Sequence, residues 1–150
     1  MIGAGMSDER NEEICRRWFQ EVWNEGRLAT IDELMAPDGV AHDVTGKGVD
    51  LSGPSEFKAA ASAMRAAFED IKLEVLDVFS SKNKVAMRLN VTLTHTGPLG
   101  HLPPTGARVS TPVMCIIHMR DGQIIEGWNY WDIASVLQAA AAPSDQRALV

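Results

Sequence analysis

The feature that most constrains the fold is a hairpin signal late in the chain. Arg120-Asp121-Gly122 separates "VSTPVMCIIHM" from "QIIEGWNYWD". Both flanks carry apolar side chains at odd and even positions alike, so each strand must be covered on both faces. Helices can cover one face, and a second subunit is the natural cover for the other. Upstream, "KVAMRLNVTLTH" sets Val85, Met87, Leu89, Val91, Leu93 and His95 on one face and Ala86, Arg88, Asn90, Thr92 and Thr94 on the other. "IKLEV" alternates Ile71, Leu73 and Val75 against Lys72 and Glu74. Between these strands and the hairpin, "GPLGHLPPTG" is too rich in Gly and Pro for anything but a loop.

The first half of the chain has a helical period instead. From Asp8 to Trp23, Ile14, Trp18 and Val22 stand beside Cys15, Phe19 and Trp23 at i, i+4 spacing, one apolar stripe that Asn24 and Gly26 end. Leu28, Ile31, Leu34 and Met35 form a shorter stripe, closed by Pro37. A third helix opens at Pro54 with Glu56 in its first turn, and buries Phe57, Ala60, Ala61, Met64 and Phe68. Helices followed by strands imply an α+β architecture. The expected form is a cone of N-terminal helices packed in a curved antiparallel sheet, with a short C-terminal helix over Ile133–Ala142. One domain is expected over 8–142, with flexible ends at 1–7 and 143–150.

Composition narrows the partners. A formal net charge of -6 and a pI near 5.1, with basic residues scattered, argue against nucleic acid. No apolar run approaches the ~20 residues of a membrane span, and the start lacks the basic and apolar regions of a secretory signal, so a cytoplasmic protein is expected. Cys15 and Cys115 read as small buried hydrophobes. The histidines show neither HxH nor HExxH spacing, so no metal is expected, and no phosphate-binding or nucleophile motif is present.

Candidate chemistry centres on "GWNYWD", Gly127 to Asp132. Two readings of Asp132 stand side by side. Placed directly before "IASVLQAAA", it is a good N-cap for the last helix. Buried in an apolar cavity, it would instead be a carboxyl of raised pKa able to move protons. His118 joins it only if the hairpin brings both to one face. A two-residue turn at Asp121-Gly122 pairs His118 with Ile125 and separates them. A three-residue loop with Gly122 in the left-handed position pairs His118 with Ile124, and then His118, Glu126, Trp128, Tyr130 and Asp132 share a face. The second is the expected turn, with Trp128 and Tyr130 lining the pocket and Trp131 left to packing or an interface. Trp18, His42 and His95 are further candidates for the pocket wall or its mouth, and His101 belongs to the Gly/Pro loop.

"WFQEVWNEGRLATIDELMAPDGVAHD", "THTGPLGHLPPTGARV" and "CIIHMRDGQIIEGWNYWD" together resemble the SnoaL-like polyketide cyclases of the nuclear transport factor 2-like superfamily, from about Arg16 to Gln138. The resemblance implies a deep apolar pocket, a homodimer through the outer sheet face, and intramolecular aldol cyclisation of a carbonyl-bearing small molecule without metal or organic cofactor. It also implies a buried Asp near the end of the last strand as general acid/base, with a His on the preceding strand beside it. By position these resemble Asp132 and His118, fourteen residues apart. The related limonene-epoxide hydrolases use an Asp-Arg-Asp triad, and "RLNVTLTH" offers no acidic residue near Arg88. A non-catalytic pocket for a hydrophobic molecule is the third possibility, since one scaffold hosts many functions.

Overall fold

A computed structural model describes residues 7–46, 48–133, 135 and 137–138. Ser7 caps the first helix, its hydroxyl accepting from the Arg10 amide at 3.1 Å. Helix α1 (Asp8–Trp18) carries Asp8 and Glu9 in its first turn and Arg16 and Arg17 in its last, each matched to the helix dipole. It then widens into a π-helical turn, Phe19–Asn24, which ends at Gly26 with a positive φ. Such turns are rare and cluster at functional positions. This one buries Phe19, Val22 and Trp23. Helices α2 (Ala29–Leu34) and α3 (Gly53–Ala67) complete the helical layer, with Pro54 at the start of α3 as its fixed φ favours.

Strands β1 (Met35–His42), β2 (Asp50–Ser52), β3 (Lys72–Ser81), β4 (Lys84–Thr94), β5 (Arg108–Arg120) and β6 (Gln123–Tyr130) form one sheet in the order β2-β1-β6-β5-β4-β3. The α+β layering matches the sequence pattern, but the sheet is mixed rather than antiparallel, because β1 runs parallel to β6. Only neighbours joined by tight hairpins are forced to be antiparallel. β1 and β6 are far apart in sequence, so the hydrophobic pattern does not set their relative direction.

Alternation places the core. Val85, Met87, Leu89, Val91 and Leu93 of β4 are buried under the helices, as are Val113, Cys115, Ile117 and Met119 of β5. At the sheet's β3 edge, Asn24 holds the backbone of Leu73, donating to its carbonyl at 2.9 Å and accepting from its amide at 2.7 Å. The loop after β4 folds back on α3, with the Thr96 and Gly97 amides both donating to the Ala67 carbonyl. Ile133, Ser135, Leu137 and Gln138 are helical. The rest of the expected C-terminal helix, most of the 1–7 end and the 143–150 tail lie outside the described residues.

Candidate functional site

The hairpin settles which residues share a face. Asp121 and Gly122 both have positive φ, +50° and +77°, and form a two-residue turn in which Arg120 pairs with Gln123 and Met119 with Ile124. The expected three-residue loop is absent. A bulge at Ile125 then restores the same parity, so that His118 pairs with Glu126, Ile116 with Trp128 and Met114 with Tyr130. His118, Glu126, Trp128 and Tyr130 therefore do share a face, but it is the face turned away from the helices. On it Tyr130 is 62% and Met114 55% exposed.

The inner face of the same ladder pairs Ile117 with Gly127 and Cys115 with Asn129. It closes against the π-helical turn around two adjoining clefts. One, a cavity of about 40 Å³, is lined by Phe19, Trp23, Val44, Ile71, Leu73, Val91, Val113, Asn129 and Trp131. The second, also about 40 Å³, adds Trp18, Met35, Phe57, Ile117 and Gly127. Among the described residues, no charged side chain lines either cleft. Two polar groups on β6 and just after it are tied to the strand-β1 segment: Asn129 Nδ2 donates to the His42 carbonyl at 2.9 Å, and Trp131 Nε1 to the Val44 carbonyl at 3.0 Å. Cys115, beside Asn129 on the ladder, is a buried thiol whose pKa desolvation pushes up to about 12, so it stays protonated at neutral pH.

The residues singled out from sequence are distributed as follows. Trp18 reaches the second cleft and packs edge-on to Phe57 at 4.9 Å. Asp132 lies beyond the end of β6, exposed, with Oδ1 accepting from the Ser135 amide at 3.2 Å, the geometry of an N-cap. His118 stands level with Glu126, and the strand from there to Tyr130 alone covers roughly 13 Å, so the structure does not bring His118 and Asp132 together. Trp128 and Tyr130 are on the outer face, and Trp131, expected in packing or an interface, lines the inner cleft. That assignment of faces is the reverse of the sequence expectation.

His42 is also on the outer side. Its ring lies between Asp50 and Glu126, with each nitrogen 2.7 Å from a carboxylate oxygen, and stacks on Trp128 with centroids 5.2 Å apart. Glu126 first, then Asp50, raises its pKa above the ordinary histidine value. His118 meets the same indole edge-on at 4.8 Å. His95 continues the inner face of β4 into full burial, where Nδ1 accepts from the Thr105 amide at 3.2 Å. That bond leaves the proton on Nε2, which has no partner among the described residues. His101 is exposed. Arg88 does have an acidic neighbour: Asp77, across on β3, accepts from its Nε at 2.6 Å. The pair sits on the outer face, away from both clefts.

The sequence reading missed Phe19, Trp23, Asn129 and Trp131 as cleft residues. The signal was Gly127, since a glycine inside a strand leaves a hollow on the face it occupies. Asn129 and Trp131 share that face by parity.

The SnoaL-like polyketide cyclase profile matches residues 13–140. The chain belongs to the SnoaL-like polyketide cyclase family. Among its relatives, nogalonic acid methyl ester cyclase of Streptomyces nogalater is 27% identical over 123 residues, which is 81% of this chain and 91% of the relative. Aklanonic acid methyl ester cyclase DnrD of Streptomyces peucetius is 25% identical over 132 residues, covering 87% and 90%. Among solved structures, one described as a SnoaL-like polyketide cyclase, from Jannaschia sp. CCS1, superposes with a TM-score of 0.81 at 25% identity, covering 94% of this chain and 99% of that one. The cone-shaped α+β fold expected from the resemblance is therefore the fold of the family. Among the described residues, no helix is long and apolar enough to cross a membrane.

Proposed function

We propose that this family member holds an apolar, carbonyl-bearing small molecule of the polyketide type in the cleft between β6 and the π-helical turn. The observation that carries this reading is the lining itself: among the described residues, aromatic and aliphatic side chains, one amide, and no charge. Pockets for flat apolar ligands are built this way, with few polar groups that set orientation. The test is to incubate the protein with nogalonic acid methyl ester and aklanonic acid methyl ester, the compounds named in its relatives, and follow both binding and ring closure. Binding of neither ester, together with no apolar ligand co-purifying in native mass spectrometry, would refute the reading.

A second reading makes the chain a cofactor-independent cyclase in which Asp132 moves the proton and His118 orients it. The relatives' cyclase names favour it. The exposure of Asp132 and the outer placement of His118 weigh against those two residues as the machinery. In the same protein the outer sheet face serves as a homodimer interface. Phe79, 68% exposed, lies with Met114, Ile116 and Tyr130 around an apolar hollow of about 380 Å³ on that face. Met114→Lys would then yield a folded protein of half the wild-type mass in analytical ultracentrifugation, and a wild-type monomer would remove the proposal.

A further inference from the structure

Among the described residues, Asn129 carries the one carbonyl or carboxylate oxygen on the side chains lining the two clefts. Its orientation is fixed from behind. The atom facing the His42 carbonyl at 2.9 Å must be the amide nitrogen, because two carbonyl oxygens cannot share a hydrogen bond. The carbonyl oxygen Oδ1 is thereby turned the other way. It has no partner among the described residues. An acceptor with a locked orientation therefore stands at the wall common to both clefts. The other lining side chains with N–H groups, Trp18, Trp23 and Trp131, are donors only.

We infer that Asn129 is a specificity-determining residue that selects ligands carrying a hydroxyl donor, phenol or enol, directed at its Oδ1. This rests on the cleft being the ligand site and adds to it a chemical requirement. Apolar contact alone would accept any flat molecule of the right size. An acceptor in a desolvated wall penalises a ligand that leaves it unpaired, which is how polar groups discriminate more sharply than apolar ones. A neutral amide in this position also makes the contact independent of pH, unlike a carboxylate.

The experiment compares 2-naphthol with 2-methoxynaphthalene, followed by quenching of tryptophan fluorescence. Methylation keeps the ligand's ring and its acceptor oxygen but removes the donor. The wild type is expected to bind 2-naphthol roughly fivefold or more tightly than its methyl ether. Asn129→Leu should abolish that preference without weakening the ether. Circular dichroism melts establish that the variant is folded. Equal affinity of the wild type for the two probes, or a preference surviving in Asn129→Leu, overturns the role of Asn129 and leaves the cleft reading standing. Binding of neither probe to the folded wild type overturns both.

Discussion

Replacing Asp132 separates a structural carboxylate from a catalytic one. Its Oδ1 accepts from the Ser135 amide at 3.2 Å, and it precedes the helical residues Ile133 and Ser135. Asp132→Ala removes the acceptor and leaves that amide to water, which costs about 1 kcal/mol for an N-cap of this kind. In a domain of this size that lowers Tm by about 2–4 °C. Asn is nearly as good a cap as Asp, so Asp132→Asn should melt close to the wild type. Neither change touches the lining of the clefts, so binding of the two methyl esters and of 2-naphthol should be unaltered in both variants. A general acid/base gives the opposite pattern. Asp132→Asn would keep its stability and lose about 10²-fold or more of any ring-closing activity, because an amide cannot exchange the proton. Thermal melts by circular dichroism and product analysis by mass spectrometry read the two quantities separately. A Tm unchanged in Asp132→Ala with activity lost in Asp132→Asn would refute the capping account.

Other perturbations probe what frames the cleft. Asn24→Ala deletes both hydrogen bonds to the Leu73 backbone on edge strand β3. It should cost about 1–3 kcal/mol in urea titration at unchanged m-value, and a loss under about 0.5 would show that water replaces the side chain. Gly97→Ala would put a Cβ 2.2 Å from the Ala66 carbonyl oxygen, backbone that cannot step aside. The loop after β4 should detach from α3 and become the first site of limited proteolysis, and an equally resistant variant would contradict this. His42 has a raised pKa from Glu126 and Asp50, so its contribution to stability is complete below the unfolded value of 6.5 and is lost as pH rises through the folded value. The urea midpoint should fall across that window in the wild type, and His42→Gln should flatten the fall, with equal slopes in both proteins counting against it.

The periodicities of the sequence located the helices and strands β3 to β6, whereas β1 and β2 were not read from them and β1 takes in Met35 and Pro37, assigned to a helix and its end. The i, i+4 stripe of α1 and the strict alternation of β4 admit a single period, and the buried residues are those the pattern names. The face of β6 was not legible in the same way. Its residues are apolar or aromatic on both sides, so alternation sorts them into two sets without saying which set meets the helices. Size points the wrong way, because Trp128 and Tyr130 look like a pocket wall while Gly127 and Asn129 look like spacers. A ligand cleft inverts that intuition, since it exists where side chains are too small to fill the space beneath the helices. Gly127 faces inward opposite Ile117, and the room it leaves is bounded by Asn129 and by rings from the π-helical turn. The large side chains are then free for the outer face, where Trp128 supports the rings of His42 and His118. Sequence parity thus defined the two sets of side chains, and the packing of the π-helical turn against one of them decided which set lines the cleft.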